Sequence, residues 1–294
     1  MAMKSFAAII PTYNREATIL RAIQSVAQQT VRPQSLIVID DGSIDQTEEL
    51  VTAWIRHERP PFKVIFEKTS NRGVSAARNL GAQLADADWL AFLDSDDEWL
   101  PHKMEQQLAL SELFPMIHGE ENWIRNGVKV QAPRKYLKSG GRVFNRCVDL
   151  CFISPSSVLM ERRLFERMDG FREDFPVCED YELWLRIAAL YDVGFISEPV
   201  LNKYGGHGDQ LSMRFRGMDY FRAKALKPFL EHRELSLEEQ IHAAKTLLQK
   251  CEILLGGYVK HDNMAGAKEV EGWREEARAR LNADSLEQFS KLSE

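Results

Sequence analysis

The stretch Trp89-Leu90-Ala91-Phe92-Leu93-Asp94-Ser95-Asp96-Asp97 runs from an apolar segment straight into three carboxylates. A strand with this ending delivers its acids together at the carboxyl edge of a sheet, where the ligands of α/β proteins gather. Packed carboxylates repel one another and are costly to desolvate, so a cluster of this kind suits a cation. Hard oxygen donors favour Mg²⁺ or Mn²⁺, and Mg²⁺ commonly arrives with a phosphate. The competing reading is a solvated acidic turn that caps the next helix.

Upstream, the same strand-then-polar-turn pattern repeats. Phe6 to Ile10 reads as a strand leading into Pro11-Thr12-Tyr13-Asn14, and Leu36 to Ile39 as one leading into Asp40-Asp41-Gly42-Ser43. Between them, Arg15 to Gln29 reads as a helix with Ile19, Ile23 and Val26 on one face. A helix over Asp45 to Arg56, a strand over Lys63 to Phe66 and a helix over Val74 to Leu84 lead to the strand Trp89 to Leu93. Strand–helix alternation with short connections implies right-handed crossovers, a mostly parallel twisted sheet and helices on both faces. The three polar strand ends then open onto one crevice.

Beyond Pro115 the pattern becomes mixed. Trp123-Ile124-Arg125, Asn126-Gly127 and Val128-Lys129-Val130 form a hairpin signal, because Asn-Gly supplies the positive φ angles of a type I′ turn. A strand near Ser157 to Met160, a helix from Glu179 to Tyr191, and strands over Gly194 to Ile196 and Val200 to Tyr204 follow. After Gly217 only helical patterns remain: Tyr220 to Glu231, Leu237 to Leu255 and Ala265 to Leu281. Ser236 with Glu239 makes a capping box, and Gly256-Gly257 a stop. Residues 1–216 therefore read as an α/β domain and 217–294 as a helical C-terminal extension. Its helices are candidates to dimerise, to bind an acceptor or to brace the domain.

The 294 residues are 44% hydrophobic and 28% charged, enough for a real core, and the net charge of −6 argues against a nucleic-acid partner. Four irregularly spaced cysteines make neither a disulfide framework nor a zinc site and fit a reducing cytoplasm. Cys147 and Cys151 stand at i,i+4 in an expected helix, with burial weighed against a metal or redox role. No apolar signal core opens the chain, and no stretch approaches the ~20 apolar residues of a membrane span. A cytoplasmic protein is expected, and peripheral contact with the inner membrane face stays compatible.

Several side chains can carry chemistry. Asp41 can accept an N–H from a nucleobase edge or close an Asx turn, with Asp45 as an alternative helix cap. Tyr13 can stack on a base. Arg78, in Asn71-Arg72-Gly73-Val74-Ser75-Ala76-Ala77-Arg78-Asn79, can balance the acids, touch a phosphate or make a structural ion pair. Asp180 shares a helical face with Trp184, Ile187 and Tyr191, while Glu179 aligns with Leu183 and Arg186. A partly buried Asp180 suits a general base; an acidic first turn answering the helix dipole is the plainer reading. Tyr204-Gly205-Gly206-His207-Gly208-Asp209-Gln210-Leu211-Ser212 reads as a lid bringing His207 to a metal, or as a surface loop.

Together these motifs, in this order, resemble family 2 glycosyltransferases with the GT-A fold. The resemblance rests on Ile10 to Asn14, Val38 to Ser43, Asn71 to Asn79, Phe92 to Asp97 and Glu179-Asp180-Tyr181-Glu182-Leu183-Trp184, and covers about Ser5 to Ser212. It implies a nucleotide-diphosphate-sugar donor, usually UDP-linked, with Pro11, Thr12 and Tyr13 around the base and Asp41 at its N–H edge. Asp94-Ser95-Asp96 resembles the family's DXD motif, which implies Asp94 toward the ribose and Asp96 toward the metal, with Asp97 as a substitute ligand. Asp180 matches the base of the ED motif, and the family implies inversion at the anomeric carbon. The Gln-x-x-Arg-Trp motif and membrane spans of processive members are missing here, which favours transfer of one sugar to a glycan, lipid-linked or small-molecule acceptor. A sugar-nucleotide pyrophosphorylase would carry a glycine-rich loop after the first strand, and a dehydrogenase a G-x-G-x-x-G; neither is present. A binding module without turnover would have no need of both Asp96 and Asp180.

Overall fold

The computed structural model describes residues 4–206, 217–261 and 263–291. Its first half follows the alternation closely: β1 (Phe6–Thr12), α1 (Ile19–Ala27), β2 (Ser35–Asp40), α2 (Thr47–Glu58), β3 (Lys63–Lys68), α3 (Val74–Leu84) and β4 (Trp89–Phe92). The second half contains β5 (Glu98–Trp99), α4 (Lys103–Ala109), β6 (Met116–Arg125), β7 (Val128–Val130), α5 (Phe144–Asp149), β8 (Leu159–Glu161), α6 (Arg162–Arg167), α7 (Glu179–Leu190) and β9 (Gly194–Gly205). Three helices close the described chain: α8 (Met218–Leu226), α9 (Leu237–Lys260) and α10 (Met264–Lys291).

One sheet runs in the order β3-β2-β1-β4-β8-β6-β9-β5, with β7 paired to β6. The four strands β3, β2, β1 and β4 are parallel and in continuous register, from Ala7 opposite Ser35 to Thr12 opposite Asp40. β8 joins antiparallel to both β4 and β6, and β9 lies parallel to β6. The hairpin turn is as expected: Trp123 faces Val130, and Asn126 and Gly127 take φ of 50° and 77°.

Both faces of the parallel half are buried, and strand alternation assigns each side chain its layer. Phe6, Ala8 and Ile10 pack with Ile19, Ile23 and Val26 of α1 and with Trp54 of α2. Ala7 and Ile9 point the other way, toward α3, Trp184 of α7 and the aromatic residues Phe165 and Phe171. Gly81 lets α3 approach closely, since a Cβ there would run into Cγ2 of Ile9. The C-terminal helices join this second layer: Leu226, Phe229, Ala243, Leu247, Cys251 and Trp273 belong to the same buried cluster as Phe144 and Tyr181. The expected domain boundary at 216 falls on residues outside the described ones.

Three local expectations are corrected. The two strands expected at 194–196 and 200–204 are one strand, β9, whose pairing with β6 is interrupted by irregularities at Gly119/Glu120 and Glu120/Glu121. Gly256-Gly257 does not stop α9, which continues to Lys260. α5 ends at Asp149 and Leu150 is extended, so Cys151 lies beyond the helix instead of one turn above Cys147. The Ser236–Glu239 capping box is present, with both reciprocal hydrogen bonds. No described helix is long and apolar enough to cross a membrane.

Candidate active site

A cleft of about 720 Å³ opens at the carboxyl ends of β1, β2 and β4. Pro11, Thr12, Tyr13, Asp41, Arg78 and the whole turn Asp94–Asp97 line it, as do Glu179 and Asp180 from the start of α7. Residues from widely separated segments thus share one cavity. His207 lies outside the described residues.

At one end, the first two strand-end loops are laced together. Asn14 donates its backbone N–H to Ser43 Oγ and accepts the Ile44 N–H at Oδ1, while Arg15 N–H donates to Thr47 Oγ1. Asp41 is buried, and its carboxylate accepts the backbone N–H groups of Arg72 and Gly73 at 2.8 Å each. Gly42 makes this fit possible: its φ is +84°, and a Cβ would crowd Asn71 N and Thr69 O. Asp41 therefore latches the loop before α3 as well as facing the cleft; a carboxylate oxygen can accept a second donor. Thr12 Oγ1 is buried with no hydrogen-bond partner among the described residues, and Tyr13 is 42% exposed at the rim.

The acidic turn is built around Asp97. The Asp94 N–H donates to Ser156 Oγ, Ser156 Oγ–H donates to Asp97 Oδ2 at 2.6 Å, and the Tyr204 N–H donates to Asp97 Oδ1 at 3.0 Å. Asp97 is only 2% exposed. Burial, followed by the repulsion of Asp96, pushes its carboxyl well above the usual range, against the pull of Lys203. Asp97, expected as a substitute metal ligand, lines the cleft and also anchors the turn through both oxygens. Ser95 is buried as well, whereas Asp94 and Asp96 are half-buried at the cleft. Arg21 holds the turn from outside, donating to the Asp96 carbonyl and lying 3.6 Å from the Tyr204 ring centroid.

Arg78 spans the cleft floor. Its Nη2 meets Asp94 Oδ1 and its Nη1 meets Glu179 Oε1, both at 2.7 Å, and its guanidinium lies 5.1 Å from the Phe171 ring centroid. Burial lowers its affinity for a proton, but Asp94 and Glu179 more than reverse this and raise it above the ordinary value. Arg78 thus balances the acids and makes the ion pair that joins the two acidic motifs, while still lining the cleft.

The helical-face expectation for α7 is reversed. Glu179 is the buried acid and Asp180 the half-buried one. α7 is covered on nearly every side, by Leu183, Trp184, Leu185, Ile187, Ala188 and Ala189 among others, so its period does not select a face. Burial and then the neighbouring Asp180 charge raise Glu179 to about 7, opposed by Arg78. Cys178, at φ 63°, sets the entry to the helix in the left-handed region, where non-glycine residues are rare. Asp180 Oδ1 accepts the Tyr181 N–H at 2.7 Å, and Oδ2 accepts the Cys151 thiol at 3.2 Å.

Sequence reasoning overlooked Lys203, Ser156 and the site role of Cys151. Lys203 lines the cleft, and Glu121, Asp97, Asp94 and Asp180 together outweigh its burial and raise it above the ordinary lysine value. Yet none of these carboxylates is in contact with it among the described residues. Glu121 is instead paired with Lys138 at 2.6 Å. The only available signal for Lys203 was a cation on a strand leading into a glycine-rich loop. For Ser156 and Cys151 there was none.

Among the described residues no three His, Cys, Asp or Glu side chains are arranged to hold a metal ion by themselves. Mg²⁺ in phosphate-bound sites takes only one or two protein carboxylates. The hard oxygens of Asp94 and Asp96 at the cleft fit that requirement.

The family model for glycosyl transferase family 2 matches residues 7–167. An uncharacterized glycosyltransferase of Rickettsia felis is 34% identical over 65% of this chain and 31% of its own length. The chain therefore spans less than a third of that relative. The E. coli enzyme UDP-Glc:alpha-D-GlcNAc-diphosphoundecaprenol beta-1,3-glucosyltransferase WfgD is 33% identical over 61% of this chain and 68% of its own. In fold, the chain is similar to S. aureus TarS 1-349 in complex with UDP-GlcNAc, with a TM-score of 0.65 at 18% identity, covering 94% of this chain and 92% of that one. Matched over more than half its length by the family model and sharing the GT-A architecture, the chain belongs to glycosyl transferase family 2.

Proposed function

We propose that this chain transfers a single sugar from a UDP-linked donor to an acceptor hydroxyl, inverting the anomeric carbon, with Mg²⁺ or Mn²⁺ as cofactor. The observation that carries this reading is the convergence of Asp41, Asp94, Asp96 and Asp180 on one cleft. The UDP preference draws further support from the names of WfgD and the TarS complex. The orphaned hydroxyl of Thr12, the rim position of Tyr13 and the spare lone pairs of Asp41 make a polar slot under an aromatic face, which suits a nucleobase.

Asp96, with Asp94 beside it, would hold the ion; when bound, it supplies positive charge to the leaving diphosphate. Lys203 adds a fixed cation to the same cleft, free of contact ion pairs among the described residues and so available to an anionic ligand. Arg78 keeps Asp94 and Glu179 at a set separation. Asp180 takes the proton from the acceptor oxygen as that oxygen attacks the anomeric carbon from the face opposite the diphosphate.

UDP with Mn²⁺ is expected to raise the Tm, and Asp96→Ala to remove the metal-dependent part of that rise. Asp180→Asn is expected to keep the Tm response while UDP release from a panel of sugar nucleotides falls at least about 100-fold. Normal turnover by Asp180→Asn would overturn the base assignment.

A further inference from the structure

From its contact with Asp180, we infer that Cys151 is a positioning residue, whose thiol fixes the carboxylate that takes the acceptor proton. The inference deepens the proposed function and rests on it. Three observations converge. The Cys151 sulfur lies 3.2 Å from Asp180 Oδ2 and a longer 3.8 Å from the Ile153 carbonyl, so the carboxylate is its nearer acceptor. The other oxygen, Oδ1, is taken by the Tyr181 N–H, so the two contacts together restrain the carboxylate at both ends. Cys151 itself sits just past α5, on a different element from Asp180, and so ties α7 to the segment that leads into the 3₁₀ turn Pro155–Ser157.

The thiol is protonated, as a donor must be: burial raises it well above the ordinary cysteine value, and the Asp180 charge adds to the effect. A thiol is a weak donor. It can hold the carboxylate in one orientation while drawing off little of its basicity, whereas a hydroxyl would draw off more. A general base that must be both oriented and basic favours the weaker donor.

Other charges also bear on Asp180. Glu179 and Cys178 precede it on the chain, Lys203 approaches from β9, and Arg222 of α8 acts on both Cys178 and Cys151. A test must therefore separate the thiol from this background, and comparing two substitutions at the same position does so.

The full chain carrying Cys151→Ala or Cys151→Ser is assayed for UDP release from UDP-glucose and UDP-N-acetylglucosamine across pH. Cys151→Ala is expected to lower kcat several-fold with KM unchanged and to move the acid limb of the profile upward. Cys151→Ser is expected to recover part of the rate, by restoring the orientation, and to move that limb downward. In parallel, alkylation of Cys151 by iodoacetamide is followed by peptide mass spectrometry in the wild type and in Asp180→Asn. Loss of the carboxylate charge, which helps hold the thiol in its protonated form, is expected to speed modification several-fold at neutral pH. This arm needs no turnover. An unchanged alkylation rate, or coincident pH profiles for all three side chains at position 151, overturns the inference. If Asp180→Asn itself turns over normally, the base assignment fails instead, and the alkylation result still reports whether the contact exists.

Discussion

At the end of the cleft proposed to take the nucleotide, Asp41 is held by two backbone N–H groups, those of Arg72 and Gly73. At the far end, Glu179 is held by the Arg78 side chain of α3, and Asp180 by the Cys151 thiol past α5 as well as by the Tyr181 N–H. Backbone donors come with the loop conformation and carry no net charge. Side-chain partners bring charge, proton exchange and rotamer freedom. One end of the cleft is thereby fixed by the chain path itself, and the other by a network whose strength depends on protonation. That division matches the chemistry proposed: binding needs a rigid slot, whereas proton transfer needs carboxylates whose fields shape one another.

The comparison breaks most visibly at Arg78. Removing one partner of a buried ion pair leaves an uncompensated charge and costs about 3–5 kcal/mol. Arg78→Met is expected to lose that much by denaturant titration at pH 8. Without the guanidinium, Glu179 is held by burial and by Asp180 alone, and both raise its pKa further. A carboxylate raised on folding binds protons more tightly in the native state, so stability falls as pH rises from the unfolded value toward the folded one. The Arg78→Met deficit should therefore shrink as the pH is lowered. A deficit that is constant with pH would show that Glu179 is not the group left unpaired.

A smaller effect of the same sign comes from Glu179 itself. With a folded value of about 7 against an ordinary value of 4.5, it favours the native state only while protonated. Its ionisation lowers stability progressively between those two values and by a constant amount above them. Glu179→Gln removes that penalty while its amide oxygen can still accept from Arg78 Nη1. Relative to wild type, the variant should gain stability as pH rises through this window, by on the order of 3 kcal/mol at most. Parallel stability–pH curves for the two proteins would show that Glu179 does not change its charge within this window.

How much of this was legible in the sequence follows the same division. The parallel half was readable because both the local period and the turn chemistry point to the same structure: β1 to β4 and α1 to α3 lie close to the expected ranges, and the strand-end motifs converge as expected. The Asn126-Gly127 hairpin was readable because few residues tolerate its backbone. Where tertiary contacts overrule local preference, the reading failed. Gly256 and Gly257 each disfavour a helix by about 1 kcal/mol, yet α9 runs through them, with Leu254, Leu255 and Tyr258 packed into the core on either side. Ser197-Glu198-Pro199 looks like a break between strands, but the irregular register of β6 absorbs it and β9 continues. In the acidic helix the wheel put Asp180 on the apolar face and aligned Glu179 with Leu183 and Arg186, yet Glu179 is the more buried of the two and pairs with the distant Arg78. Partnerships spanning a hundred residues, such as Arg78 with Glu179, leave no trace in local spacing.

The smallest expected effect lies at the fixed end, and it tests whether that end really is fixed by backbone donors. In Asp41→Asn one oxygen remains to accept a loop N–H, but an amide NH₂ now faces the other. Two donors pointed at each other in a buried position leave one of them unsatisfied, at about 1–3 kcal/mol. The two lost charge-assisted bonds fall within that range, since the surviving oxygen keeps one of them in neutral form. Overall stability should drop by about 2 kcal/mol, while UDP affinity should fall further than stability alone explains, because loosening Arg72 and Gly73 also frees the start of α3 beneath the proposed nucleotide slot. The two consequences separate cleanly. Calorimetric titration with UDP on folded protein reads the affinity, and hydrogen exchange at Arg72 and Gly73 reads the latch. Protection of those two amides should fall together, with little change at the Tyr181 amide, which Asp180 holds at the opposite end of the cleft. Loss of protection at all three would mean that the two ends are one cooperative unit, and the contrast between a backbone-fixed slot and a side-chain network would not survive.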